Sequence, residues 1–415
     1  MTGLRILLTN NTLAARAGTE IVVRDLALAL LRRGHRPVAY STVLGEVAEE
    51  LERCAVPVVN DLDQLTEPPD LIHGQHHLDA MTAMTRFPDV PAIFVCHGWA
   101  PWEELPPVFP SIREYVAVDD LCLERLRITE GIAPERTRVI LNAIDVDRFT
   151  AREPLPERPG SALVFSNQAH AGNYGGVIER ACRDAGIDRV DYAGAASGRP
   201  VASPEELLRE YDVVFAKGRS AIEAAVSGCA VVVADAQGLS GMVTHDRLPR
   251  LRRLNFGLRA LMDERVTPNS VAAALADYDC TDAAAVSASM RESASLDQAV
   301  DAWERLYVDA LGVPVSQDHA SALLAASRYL ATLAPVIKSR TEAHHNNAAS
   351  SANEHDMADR LRQAEAVAAS LRTELMEAQR SLAASQERWA AVTATTAWKV
   401  STLAWQVKAR ATRRD

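Results

Sequence analysis

The sequence predicts an α/β protein made of two parallel sheets in succession, each covered by helices, followed by a helical extension. Three observations carry this. Short, continuously apolar runs alternate with helical patterns from residue 5 to about residue 141. Such runs belong to parallel strands buried on both faces. The same alternation restarts at Ala162, after the proline-rich stretch Pro154 to Pro159. From Ser293 the pattern turns helical and stays so.

In the first half, strands are expected at 5–9, 37–40, 55–59, 71–73, 92–96, 115–118 and 138–141. A loop with Ala17-Gly18-Thr19-Glu20 leads from the first strand into a helix over 21–33, which Gly34-His35 ends. In the second half, strands are expected at 162–165, 190–193, 213–215 and 231–233. The chain therefore reads as two Rossmann-like halves, 1–155 and 156–312, with a hinge near residue 155. Ligands of such sheets bind at the carboxyl ends of the strands, so the cleft between the halves is the expected site. Beyond it are expected a helix (313–338), a polar flexible linker (339–356), a coiled coil (357–390) and a basic amphipathic tail (391–415). The coiled-coil seam pairs Leu361, Ala368, Leu375, Leu382 and Trp389 with Ala364, Leu371, Ala378 and Ser385. It suits a homodimer, although a single solvated helix fits the same alanine-rich pattern.

A net charge of −11 over 415 residues argues against nucleic acid as a partner. Apolar residues make up 48%, enough for a sizeable core. Six scattered cysteines without a CxxC pair read as buried thiols in a reducing compartment. No signal peptide is visible, and Arg328 and Pro335 interrupt the apolar stretch 320–337, so no membrane span is expected. The expected location is cytoplasmic, peripheral on the inner face of a membrane. There Trp398, Trp405, Lys399, Lys408 and the terminal arginines of the tail would meet an anionic surface. A frayed tail that binds nothing is the alternative.

The chemistry is expected to centre on Lys217-Gly-Arg-Ser-Ala-Ile-Glu223, which follows an apolar strand and opens a helix. A helix N-terminus presents unpaired N–H groups and about half a positive charge, which suits phosphate. Lys217 and Arg219 add to that field, and Gly218 and Ser220 lie in the first turn. Glu223 stands one turn in, where it could hold a sugar hydroxyl. In the first half, Gly18 allows close approach of a ligand to the backbone, but the loop is not GxGxxG, so a nicotinamide cofactor is not expected. Cys96-His97-Gly98-Trp99 puts His97 at the cleft mouth, with Trp99 and Trp102 as apolar platforms for a sugar. His73-Gly-Gln-His76-His77 invites a zinc reading, but no further Cys or His lies at metal-site spacing, so cleft lining or packing is expected. Asp145-Val-Asp147 resembles a metal–diphosphate clamp on paper and reads as a turn closing the first half.

Together these segments resemble the family 4 glycosyltransferases of the GT-B fold, over roughly residues 4 to 312. The resemblance is carried by the Gly18 loop, by Asp70-Leu-Ile-His73 and by Phe94-Val-Cys-His97-Gly98. It extends to Val116-Ala-Val118 with Asn142-Ala-Ile-Asp145 and Phe149. Most specific is Glu223-Ala-Ala-Val-Ser-Gly228-Cys-Ala-Val-Val-Val, similar to the family's Glu-Ala-Met-Ala-Cys-Gly-x-Pro-Val-Val run. It implies a nucleotide-diphosphate sugar as donor, bound mainly by the second half, with Glu223 on the ribose hydroxyls and His97 on the donor sugar. The amides at Gly18 and Gly218 would face the diphosphate, and His73 and Trp99 would contact sugar or acceptor. Transfer would retain configuration, with neither metal nor cofactor. The acceptor would be a glycan or lipid-linked, in cell-surface polysaccharide synthesis. Two departures stand out: Phe215 occupies the place of the family's first glutamate, and Phe165-Ser-Asn-Gln-Ala-His170 lacks the usual Arg and Lys. Lys217 and Arg219 are expected to supply those cations as catalytic groups beside His97. A nucleotide-sugar epimerase of the same fold and an inactive nucleotide-sugar-binding scaffold are the competing readings.

Overall fold

The computed structural model describes residues 3–314 and 318–411. It divides into two units, Met1–Leu330 and Ala331–Asp415. The first unit holds two sheets. The N-terminal lobe runs β1 (Arg5–Thr9), α1 (Gly18–Arg32), β2 (Arg36–Tyr40), α2 (Glu46–Arg53), β3 (Val58–Val59), β4 (Leu71–Gln75) and α3 (His77–Arg86). It continues through β5 (Ala92–Cys96), β6 (Ile112–Ala117), α4 (Asp120–Ile128) and β7 (Thr137–Val139). These seven strands form one parallel sheet in the order β3-β2-β1-β4-β5-β6-β7.

The second lobe runs β8 (Ser161–Phe165), α5 (Tyr174–Asp184), β9 (Arg189–Ala193), α6 (Pro204–Leu207), β10 (Val213–Ala216), α7 (Gly218–Val226), β11 (Ala230–Asp235) and β12 (Gly238–Met242). Helices α8 (Leu248–Arg253), α9 (Leu258–Leu261), α10 (Pro268–Ala276) and α11 (Cys280–Ser293) complete its coverage. The sheet order is β12-β11-β10-β8-β9, parallel except for the β11–β12 hairpin. Strands such as β5 (Ala-Ile-Phe-Val-Cys) and β11 are buried at every position, as their unbroken apolar runs require.

One helix departs from the expected division. By sequence position α12 (Leu296–Gly312) belongs to the second half, yet it returns to the first lobe. Its stripe of Leu296, Val300, Trp303, Leu306, Tyr307 and Ala310 joins the N-terminal core. Burying the five large side chains among them is worth about 1.5–3 kcal/mol each, far more than any local preference of the chain near residue 295.

α13 runs His319–Ala394, so the polar stretch 339–356, expected to be a flexible linker, is helical. Alanine-rich helix on either side continues through it, since propagation adds a hydrogen bond per residue once nucleation is past. Within the first unit, Ala322, Ala325, Ala326 and Tyr329 pack against the N-terminal core, and the Tyr329 hydroxyl lies 2.6 Å from His77 Nδ1. Leu323, Leu324 and Leu330 stay exposed. By length and composition His319–Ala343 is apolar enough to cross a membrane despite Arg328 and Pro335, with a mean hydropathy of 1.4. The second unit ends in α14 (Thr396–Ala411), where Val400, Leu403 and Trp405 are exposed. The side chains of Leu361, Ala364, Ala368, Leu375, Ala378, Leu382, Trp389 and Trp398, and the terminal Arg413 and Arg414, lie outside the described residues.

Candidate functional site

Between the lobes lies a cleft of about 380 Å³. Its first-lobe wall is Gly18, Thr19, Val22, His97, Gly98, Trp99 and Asp119; its second-lobe wall includes Phe165, Ser166, Asn167, Gln168, Lys217, Gly218, Arg219, Ser220 and Asp235. The fold explains the gathering. Strand β5 of the first sheet and strands β8, β10 and β11 of the second all end here, and the parallel ladder brings the carboxyl ends of the last three level.

Two helix N-termini meet at the cleft, α1 at Gly18 and α7 at Gly218. Neither has a side-chain cap, so their first-turn amides, apart from that of Gly218, are open to an anion. A Cβ at Gly18 would touch no protein atom; the space it would fill is cleft. Gly218 has φ of +54°, a left-handed conformation that glycine takes freely, and its amide is used by Phe256 O at 2.9 Å. The Lys217 ammonium is partly exposed and lies 2.7 Å from Asp235 Oδ2.

His97 lines the cleft, as expected. Its backbone N–H donates to Glu104 Oε2 at 2.8 Å, while Nε2 is buried without a hydrogen-bond partner. Burial holds its pKa down to about 4 against the pull of Glu104, so the ring is neutral near pH 7. Burial also pushes Glu104 up, but the hydrogen bond with His76, 3.3 Å away, and the other polar contacts of its carboxylate outweigh it and lower its pKa. Trp99 stands half-exposed on the cleft wall.

Three expected site residues are placed otherwise. His73 does not line this cleft but a small cavity of about 30 Å³, shared with His97, Asp25 and Arg219. Its Nδ1 lies 2.8 Å from the Tyr307 hydroxyl and its ring packs 4.8 Å from Trp303, with burial driving its pKa down to about 3. The return of α12, unreadable from local sequence, covers it. Glu223 is buried behind the wall, bound to Arg219 Nε at 2.8 Å. Its Oε1 is thereby committed to Arg219, and the residue does not line the cleft. Arg219 does touch the cleft, but not as a free cation: it also holds Asp25 of α1 in the other lobe. Only its Nη1 is left without a partner. Asp25 is in turn paired with Arg24, so a buried chain Arg24–Asp25–Arg219–Glu223 ties the lobes together. Burial raises Asp25, but Arg219 and Arg24 prevail and its pKa is lowered; for Glu223 burial prevails over Arg219 and the pKa is raised. Exposed pairs Arg253–Asp120 and Arg259–Glu124 join the lobes at the rim.

Sequence reasoning missed Asp119 and Asp235. Asp119 caps α4 through the Cys122 amide at 2.6 Å and lines the cleft. Asp235 had a readable signal, a carboxylate closing the run Val231-Val-Val-Ala. Asn255 and Gly257 had none, because they reach the cleft from the far end of α8. Asp145 folds back on the amides of Asp147 and Arg148 at 3.1 and 3.2 Å, as a turn. Among the described residues no group of three or more His, Cys, Asp or Glu is arranged to hold a metal ion.

Residues 16–148 match the family model described as Glycosyltransferase Family 4. A glycosyltransferase from Rickettsia africae ESF-5 superposes with a TM-score of 0.53 at 14% identity, covering 75% of this chain and 99% of that one. Alr3699/HepE from Anabaena, solved in complex with UDP and glucose, gives 0.51 at 14% identity, covering 74% and 100%. The same protein with UDP gives 0.52 at 13% identity, covering 74% and 100%. No curated protein sequence matches the chain significantly. The N-terminal lobe of this chain is thus matched to glycosyltransferase family 4, and its two lobes together have the GT-B fold.

Proposed function

We propose that the chain transfers a sugar from a nucleotide-diphosphate sugar to a hydroxyl of a glycan or lipid-linked acceptor, with retention of configuration and without a metal. One observation carries the reading: the uncapped N-terminus of α7 and the Lys217 ammonium on one wall of the cleft face the uncapped N-terminus of α1, neutral His97 and Trp99 on the other. Charge gathers on the diphosphate as the sugar–phosphate bond breaks. Fixed amide dipoles and an ammonium stabilise that charge, the term that commonly dominates such catalysis. Arg219 contributes through Nη1, the guanidinium nitrogen left without a partner. The sugar passes through an oxocarbenium-like state, and the acceptor hydroxyl enters on the leaving-group side. A diphosphate oxygen takes the acceptor proton, so no protein nucleophile is needed. His97 hydrogen-bonds a sugar hydroxyl, and Trp99 supplies an apolar platform for a ring.

The UDP-bound structures of the Anabaena protein make UDP the first nucleotide to try. The test is a thermal-shift screen of the full chain against UDP, GDP and ADP and their glucose, mannose and N-acetylglucosamine conjugates. Donor turnover with and without EDTA follows, with the product anomer read by NMR. Binding of one nucleotide and an EDTA-insensitive, retained product supports the reading; an isomerised donor in the absence of acceptor would turn it to an epimerase. We further propose that α14 lies on anionic lipid through Trp405, Val400 and Leu403 with Lys399 and Lys408, which would place the enzyme beside a lipid-linked acceptor in cell-surface polysaccharide synthesis.

A further inference from the structure

Glu223 does not line the cleft, whereas Asp235 does. Asp235 ends β11, one strand from β10, whose end leads into Lys217. Its side chain is only 1% exposed, yet the residue lines the cleft. The Lys217 ammonium lies 2.7 Å from Oδ2, but neither Asp235 oxygen receives a directed hydrogen bond. An ionised carboxylate is acceptor-only and offers about four lone-pair sites, and buried acceptors left empty are costly. Its position is firmly held. The hairpin pairs Asp235 with Gly238, where a Cβ would meet Leu261 O at 1.9 Å, so the turn packs flush on α9.

We propose that Asp235 is the hydroxyl-binding carboxylate of this cleft, accepting hydrogen bonds from a vicinal diol of the nucleotide sugar while it holds Lys217 toward the diphosphate. The inference rests on the nucleotide-sugar reading above. A carboxylate repels phosphate, so the group that docks on it is a neutral donor. The ammonium beside it takes the adjoining anion. In a nucleotide sugar, hydroxyls of the ribose and of the transferred sugar both lie within such a distance of the diphosphate. The shared chemistry is a diol, and the probes distinguish its two sources.

Affinities of UDP, 2′-deoxy-UDP, UDP-glucose and inorganic pyrophosphate are measured by calorimetry for wild type, D235A and K217M, with circular dichroism as a fold check. GDP or ADP sets replace UDP if the screen selects them. If Asp235 reads the ribose, D235A weakens UDP at least about tenfold and 2′-deoxy-UDP much less. If it reads the transferred sugar, D235A leaves UDP unchanged and weakens UDP-glucose by a similar factor. Either pattern supports the proposal, provided pyrophosphate is hurt more by K217M than by D235A. Wild-type affinities in D235A overturn it. Equal losses for all four probes, matching K217M, also overturn it and leave Asp235 a mere partner of the lysine. Should D235A not fold, the charge-balanced D235A/K217M is compared with K217M alone; identical discrimination between UDP and 2′-deoxy-UDP, and between UDP and UDP-glucose, overturns the proposal. A wild-type chain that binds UDP, GDP and ADP not at all fails the nucleotide reading itself and takes the inference with it.

Discussion

Replacing Arg219 by Met leaves two carboxylates facing a site built for one guanidinium. The side chains of Asp25, Arg219 and Glu223 are 9%, 10% and 7% exposed, so water screens little of the loss. Asp25 keeps Arg24 as a partner; Glu223 keeps none of comparable closeness. Removing one member of a buried ion pair costs about 3–5 kcal/mol, because the partner's charge stays buried and unpaired. R219M is expected to lose that much in equilibrium urea unfolding at pH 7.5. Methionine fills most of the stem volume, so packing contributes little. The reasoning makes a second, sharper demand: R219M/E223Q removes the orphaned charge and should recover at least half of the loss, although it carries one more substitution. The sign with pH follows. Burial already raises Glu223 in the wild type, and without Arg219 its pKa rises further. Protonation then favours the folded state, so R219M should gain on wild type as the pH falls from 7.5 toward 5. A loss below about 0.5 kcal/mol, or a double variant less stable than R219M, would refute the view that this chain of charges ties the lobes.

Other expectations are simpler. K217A should lower turnover at least tenfold, about 1.4 kcal/mol of transition-state stabilisation, with the circular dichroism spectrum unchanged; a wild-type rate would remove Lys217 from leaving-group stabilisation. Burial raises Asp79 from 3.8 to about 7, so the folded state holds a proton that the unfolded chain has lost between those values, and stability falls as pH rises across that window. D79N should therefore gain on wild type between pH 5 and pH 8, on the order of 2 kcal/mol; a constant difference in urea stability would contradict the assignment. His73 and His97, held down to about 3 and about 4, resist protonation in the fold, so each withdraws stability as pH drops below about 6.5. H73F should flatten that acid limb, and an unaltered slope would count against it. Deleting residues 391–415 should move the protein from anionic vesicles into solution in a flotation assay, and unchanged flotation would exclude α14 as the lipid contact.

The parallel strands, their alternation with helices and the two-sheet architecture were legible in the sequence, since continuous apolar runs have few other uses, but the glycine-bearing antiparallel edge strand β12 was not. So was the place in the cleft of Lys217, Gly218, Gly18, His97 and Trp99, because the carboxyl ends of parallel strands converge by rule and each of these residues lies on the segment that follows one. Tertiary structure alone decided three matters. It bound Glu223 to Arg219, and Arg219 across the cleft to Asp25, a pairing of residues 194 positions apart that no local pattern encodes. It sent α12 back over the first lobe, burying His73, because an apolar stripe records only that a helix is covered and not by which sheet. It set Asp235 in the cleft wall beside Lys217 with neither oxygen taking a directed hydrogen bond, for hydrogen-bond satisfaction belongs to the packed surroundings of a side chain and not to its place in the chain.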